Sequence, residues 1–234
     1  MPGLLEIEDL TVAYSPGGRS AVQALSECSL TVGEAEAVGI FGKSGSGKTT
    51  LARTIPRLLP SGASIKGTVR LQGRNLLAQT GEEMRRLRGA RIGFIPQEPS
   101  IALHPLLRVG RQVEEVLRAH GRTSAAAKEE TEELFARSFG REAQRISRAF
   151  PFQLSGGERQ RAVICQALCC KPALILADEP TSALDTVARK EFITLLRGLQ
   201  DESGASLILF SHDRDLLRYA AGRRIELREG RLGA

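Results

Sequence analysis

Tryptophan is absent from the 234 residues, and aromatic side chains make up only 4% of them. So thin a supply leaves little to stack on unpaired bases, which argues against a nucleic-acid partner. Nor is there an apolar run approaching the roughly 20 residues that a membrane-crossing helix needs. The opening MPGLLEIEDL is too acidic and too poor in apolar residues for a signal peptide, so the chain is expected in the cytosol. Its four cysteines fit that compartment. Cys28 stands alone, while Cys165, Cys169 and Cys170 share one helical run with no complementary His or Cys cluster for zinc, and Cys165 and Cys169, which can share a helix face, read as two small buried side chains.

What is present is a globular composition with a basic balance. A hydrophobic content of 41% over this length can bury a full core, as one large domain or as a domain with an inserted subdomain. The formal charge is +6, but the arginines are spread through MRRLRGARIG, RSFGREAQRISR and RYAAGRRIELREGR, most beside acidic neighbours. A solvated surface that favours an anionic membrane face or an acidic partner is the better reading.

Alternation in LLEIEDLTVAY and CSLTV predicts antiparallel strands near the N-terminus, with further strands at 67–73 and 90–97. GKTTLARTIPRLL, 47–59, reads as a helix that Pro56 should kink or end early. From Leu106 to Cys170 the pattern turns helical. ALILADEP and ASLILFSH are short apolar runs ending in polar residues, as buried parallel strands do, and a helix over about 186–200 joins them. The expected architecture is α/β: a core of 1–97 and 171–234 with an antiparallel part, interrupted by a helical subdomain at 98–170.

Directly after the apolar stretch Ala37–Phe41 comes GKSGSGKTT: Gly42, Lys43, Ser44, Gly45, Ser46, Gly47, Lys48, Thr49 and Thr50. Ordering three glycines costs entropy and brings no side chain to pack, so a compensating contact is required. The stretch matches the P-loop, whose N–H groups wrap a phosphate while the lysine supplies charge and the hydroxyl of Thr49 binds Mg²⁺. Asp178 should sit at the carboxyl end of a central strand, where it can hold Mg²⁺ on the phosphates of ATP, and Glu179 just beyond is a candidate base for an attacking water. Alone, the Asp-Glu pair would be a solvated turn and the glycine loop a chance match. Together, each after a buried strand, they point to nucleotide binding.

LSGGERQR places Ser155, Gly156 and Gly157 at the start of a helical run, where free N–H groups form a second anion site, or a serine caps a tight helix entry. With these motifs in this order, the chain resembles the ATPase subunits of ABC transporters over nearly its whole length, and LSGGERQR matches that family's signature. The resemblance implies a P-loop NTPase cassette: a RecA-like core, an N-terminal antiparallel β subdomain and an inserted helical subdomain. It further implies that Tyr14 stacks on adenine, Gln97 reaches Mg²⁺ and the attacking water, His212 contacts the γ-phosphate, and Ser182 and Asp185 lie in a segment crossing to a partner. His104 and His120 match no such place and are expected at the surface. Two cassettes, alike or different, would pair head to tail, each ATP lying between the P-loop of one and the signature of the other.

FIPQEPSIALHPLLRVGRQV and FPFQLSGGERQR look most like the oligopeptide, dipeptide and nickel importer branch. That branch implies transmembrane permease subunits as direct partners, a solute-binding protein indirectly, and a peripheral place on the cytoplasmic face of the membrane. LHP, where the branch commonly has Asn before Pro, Pro56, and the end at REGRLGA without the branch's usual extension depart from its pattern. The alternative is a soluble ABC ATPase outside transport, such as an accessory of a phosphonate-degrading complex.

Overall fold

The structure is a computed structural model that describes residues 3–15, 21–182 and 184–233. Along the chain run β1 (Leu5–Tyr14), β2 (Val22–Val32), β3 (Ala37–Phe41), α1 (Lys48–Thr54), β4 (Ala63–Leu71), β5 (Arg74–Asn75), α2 (Gly81–Leu87) and β6 (Ile92–Ile95). Next come α3 (Pro99–Ala102), α4 (Val109–Ala119), α5 (Ser124–Phe139), α6 (Ala143–Arg148) and α7 (Gly156–Leu168). The chain finishes with β7 (Leu174–Asp178), α8 (Thr186–Ser203), β8 (Ser206–Ser211), α9 (Arg214–Ala220), β9 (Arg223–Arg228) and β10 (Arg231–Leu232). Two compact units form: 1–85 with 176–178 and 204–234, and 86–175 with 179–203.

The first unit holds an antiparallel sheet of order β2-β1-β4-β5. Leu5 and Ile7 of β1 are buried, and then Leu10 and Val12, so the inward phase slips by one residue. The slip is a bulge: Asp9 has φ 49°, and the pairing with β4 shifts register between Glu8 and Thr11. Gly67 lies opposite with φ 98°, and a Cβ there would come within 2.6 Å of the carbonyl oxygens of Glu8 and Asp9. Only glycine lets the strands stay together here. β4 therefore starts at Ala63, before the glycine that reads in the sequence as a strand boundary.

The same unit contains parallel strands in the order β10-β9-β3-β8-β7, β7 entering with residues 176–178, and β3 pairs in parallel with both β8 and β9. Every residue of β8 and four of the five in β3 are buried, which is why these strands read as unbroken apolar runs. Such strands aim their carboxyl ends at one edge, where loops and ligands meet. α1 stops at Thr54, two residues short of Pro56; Ile55 keeps helical dihedrals, φ −57° and ψ −52°, and it is the backbone donor missing at Pro56 that ends the ladder. β9 has only Leu227 fully buried, and its RRIELR gives no apolar signal in the sequence.

The second unit is mainly helical, with α4, α5 and α6 packed on one another and α5 on α7. Phe135 and Phe139 of α5 pack one turn apart, tilted by 39° with ring centroids 5.3 Å from each other. β6 runs beside the start of β7, where the Leu174 N–H donates to Arg91 O at 3.1 Å. α7 lies so close to β6 that a Cβ on Gly93 would meet Ala167 O at 2.6 Å. His120, expected at the surface, is half-buried: its imidazole covers Gly89, whose φ of 85° and missing Cβ make the room. His104 is exposed, its Nδ1 accepting the Leu106 N–H at 3.3 Å. Among the described residues no helix is long and apolar enough to cross a membrane.

Candidate nucleotide site

β3 delivers the chain to Gly42, and the loop from Gly42 to Gly47 returns it into α1. Gly47 caps α1 with φ 107° and no side-chain hydrogen bond, so no capping side chain covers the start of the helix. Lys48 turns back over the loop, its Nζ donating to Gly42 O at 2.7 Å and Lys43 O at 3.1 Å. It is only 7% exposed, so the cation is held inside the loop rather than in solvent. Lys43, Ser44 and Gly45 are exposed. Gly45, with φ 78°, has nothing within 4 Å of where a Cβ would stand, whereas Ser46 is buried with its Oγ lacking a hydrogen-bond partner. An uncapped helix start, a buried cation, an unpartnered hydroxyl and clear space over Gly45 together fit a polyphosphate.

Asp178 is the last residue of β7 and 1% exposed, and it accepts a hydrogen bond from the Thr49 hydroxyl at 3.2 Å. Two hard oxygen donors thus stand side by side under the loop. No group of three or more His, Cys, Asp and Glu side chains suited to a metal exists among the described residues. A divalent cation at Thr49 and Asp178 would therefore need phosphate oxygens to fill its shell, which is how Mg²⁺ is usually bound. Tyr14, at the end of β1, donates its phenolic O–H to Thr50 Oγ1 at 3.3 Å, which sets the ring beside the first turn of α1. His212 follows β8 and is exposed, one residue past Ser211, which pairs with Phe41 ahead of the loop. The first unit thus gathers Tyr14, the loop Gly42–Thr50 and Asp178, with His212 at the end of the neighbouring strand.

The second unit carries the other candidates. Gln97 is exposed two residues after β6. Glu179 is 8% exposed with φ 46°, a strained value for a non-glycine residue. Ser155 caps α7: its hydroxyl accepts the Glu158 N–H at 3.2 Å while Glu158 Oε2 accepts the Ser155 N–H at 2.8 Å. The serine-cap reading and the anion-site reading both survive this geometry, because Gly156 and Gly157 keep their N–H groups at the helix start. Partial burial opposes ionisation of Glu158, yet the Ser155 N–H and the Arg145 guanidinium hold its carboxyl below the usual range. Asp185 is exposed and caps α8, its Oδ1 accepting the Val187 and Ala188 N–H groups at 2.9 and 2.8 Å. Ser182 is exposed, and Ala183 in the same segment lies outside the described residues.

Three contributors went unseen in the sequence. Gln160, buried in α7, donates to Pro180 O and so ties the signature helix to the turn after Glu179. Glu158 completes the capping box, legible as S-x-x-E. Gly230 binds the loop itself through Ser46 O at 3.1 Å, and nothing in the linear sequence announces it.

Comparison with known proteins gives the family. The ABC transporter family matches residues 25–182. The oligopeptide transport ATP-binding protein OppD of Mycobacterium tuberculosis is 38% identical over 234 residues, which are 99% of this chain but 38% of that protein. The probable peptide ABC transporter ATP-binding protein y4tR of Sinorhizobium fredii is 38% identical over 232 residues, 98% of this chain and 69% of that one. The chain thus spans well under half of the mycobacterial relative. Among solved structures, the bacterial ABC transporter cassette MJ0796, determined as a dimer, superposes with a TM-score of 0.86 at 31% identity, covering 98% of this chain and 97% of that one. The same cassette has been solved in a post-hydrolysis state bound to ADP and Pi. Family match, relatives and fold agree, and the chain belongs to the ABC transporter family.

Proposed function

We propose that the chain is the ATP-binding and ATP-hydrolysing subunit of an importer, acting through separate membrane subunits on peptides or related solutes. The observation that carries this is the loop from Gly42 to Thr50 over the Thr49–Asp178 pair, which offers donors, one buried cation and two metal-binding oxygens to a nucleoside triphosphate. Lys48 binds and orients the phosphates, and the N–H groups from Gly45 to Thr50 wrap them. Thr49 and Asp178 would hold Mg²⁺, which supplies charge neutralisation on the phosphate oxygens, and Gln97 is the third residue assigned to that metal. Tyr14 supports the adenine. Glu179, beyond the metal-side carboxylate and in a strained conformation, accepts the proton of the attacking water, and His212 holds the γ-phosphate oxygens.

Ser155, Gly156 and Gly157 belong to the second half of a shared site. They present N–H groups to the ATP held by another cassette, with Asp185 in the segment that meets it. The helical part, 98–170, carries this signature and faces the permease. MJ0796 as a dimer supports the pairing, and the names of the relatives, with the words peptide ABC transporter and peptide import among them, support peptide as the solute. OppD and y4tR are both named for peptides and neither for nickel, so peptide is the favoured cargo.

Phosphate release from ATP by the purified chain, alone and with its copurifying membrane partners, tests the reading. Glu179→Gln is expected to bind ATP as the parent does and to turn it over about 10² to 10⁴ times more slowly. Turnover at the parental rate removes Glu179 as the base. An unchanged chain that neither binds nor hydrolyses ATP removes the whole reading.

A further inference from the structure

The loop is gripped from outside by a segment that no phosphate-binding motif contains. Gly230, in the turn between β9 and β10, donates its N–H to Ser46 O at 3.1 Å. Its own carbonyl receives the Ser26 N–H at 2.8 Å and the Cys28 S–H at 3.0 Å, both from β2. The turn is thereby fixed to a sheet before it touches the loop. The fit is close on every side. A Cβ on Gly230 would meet Ala24 O at 2.8 Å, one on Gly47 would meet the same oxygen at 2.7 Å, and one on Gly42 would press on Leu227 O and lie 2.6 Å from Ser46 Oγ. Gly230 adopts φ 76°, which a side chain would resist even without those neighbours.

The geometry points to Gly230 as a positioning residue for nucleotide binding: by holding Ser46 O outward, the β9–β10 turn aims the N–H of Gly47 into the phosphate cradle. Planarity of the peptide unit transmits the hold. Ser46 C=O and Gly47 N–H belong to one trans peptide and point in opposite directions, so fixing one fixes the other. Lys48 holds the loop's other end through Gly42 O and Lys43 O, which leaves the Ser46–Gly47 peptide as the part that needs an external hold. Without it, a flip of that peptide would turn a carbonyl dipole toward the phosphates in place of a donor. Gly47, free in φ, makes such a flip sterically accessible. Cys28 acts one step further back, as a second donor that keeps the Gly230 carbonyl, and with it the turn, in place.

This inference rests on the phosphate-loop reading, and its test separates the two. Dissociation constants for ATP and ADP are measured by calorimetry, with far-UV circular dichroism melts of the nucleotide-free protein, for the parent, Gly230→Ala, Cys28→Ala, Cys28→Ser and a semisynthetic chain with glycolate replacing Gly230. The ester removes the 230 N–H and adds no atom. It is expected to weaken ATP and ADP binding about tenfold, the effect of losing one hydrogen bond to a charged group, with its dichroism spectrum that of the parent. Gly230→Ala should weaken binding at least as much, and Cys28→Ser should stay closer to the parent than Cys28→Ala. A folded ester chain with parental affinities overturns the inference, even if its melting point falls, because a merely structural contact would do that. Should the ester chain not fold, the Cys28 pair decides: equal affinities in Cys28→Ala, Cys28→Ser and parent overturn it. A parent that binds no ATP takes down the phosphate-loop reading and this inference together.

Discussion

The Thr49 hydroxyl donates to Asp178 Oδ1 across 3.2 Å, linking the first turn of α1 to the end of β7. Two residues so far apart in sequence meet because β3 and β7 flank β8 and aim their carboxyl ends at one edge. If the pair holds Mg²⁺, its substitution should act on the metal's contribution and spare the rest. Thr49→Val and Asp178→Asn are expected to bind ATP in EDTA within a few-fold of the parent, and to lose most of the gain that added Mg²⁺ gives. Titration of ATP with and without Mg²⁺ checks this; an undiminished gain in both variants contradicts the assignment.

Glu158 predicts a pH dependence at the signature helix. Its folded carboxyl titrates below its unfolded range, so the stability it adds is complete above the unfolded value of about 4.3 and is lost as pH falls through the folded value. Glu158→Gln keeps the capping geometry and removes the charge beside Arg145 and the helix start. It should lower unfolding free energy at pH 7 by about 0.5–1 kcal/mol, and urea melts of the two proteins should converge toward pH 3. A gap that does not change with pH would show that the charge contributes nothing.

The cysteines should react in a set order. Burial pushes the Cys165 thiol up to about 12 and also raises Cys28. Cys170 is half-buried and shifted down, first by its contact with the Cys169 thiol and further by Arg122, while burial opposes the shift. Since the thiolate is the nucleophile, iodoacetamide at pH 8 is expected to label Cys170 first in the folded protein and Cys165 only after unfolding. Peptide mass mapping over time reads the order, and early labelling of Cys165 would contradict the packing of α7.

Gly42 and Gly45 should differ in why they resist a side chain. At Gly42 a methyl group would strike Leu227 O and Ser46 Oγ, so Gly42→Ala should displace the loop and lower both stability and ATP affinity. At Gly45 space is open and only φ 78° opposes alanine, a cost of about 1–2 kcal/mol. Thermal melts should therefore show the larger loss for Gly42→Ala, and the reverse order would contradict the described loop.

Much of this was legible in the sequence because the central strands carry their own signal. LILAD and SLILFS are buried end to end, and the motifs that follow them fall at strand ends by connectivity alone. Pro56 likewise marked the end of α1 through its missing backbone donor. The bulge at Asp9 was hidden because it needs Gly67 on another strand, and β9 was hidden because RRIELR, between β3 and the two-residue edge strand β10, stays largely exposed. His120 escaped for the same reason: its cover, Gly89, is a distant glycine. The hold of Gly230 on Ser46 is likewise a long-range contact between backbones, which side-chain identities do not encode.

The central claim is that ATP sits in the loop under Lys48, and the most direct measurement is calorimetric titration of ATP into the parent and into Lys48→Ala. Lys48 is buried and spans the loop, so its removal leaves the N–H donors but takes away the cation that faces the phosphates. The expected result is one ATP bound per parent chain and a loss of about a hundredfold or more in a variant that still melts cooperatively, from an electrostatic contact worth roughly 3 kcal/mol. Equal affinity in the two proteins would contradict it.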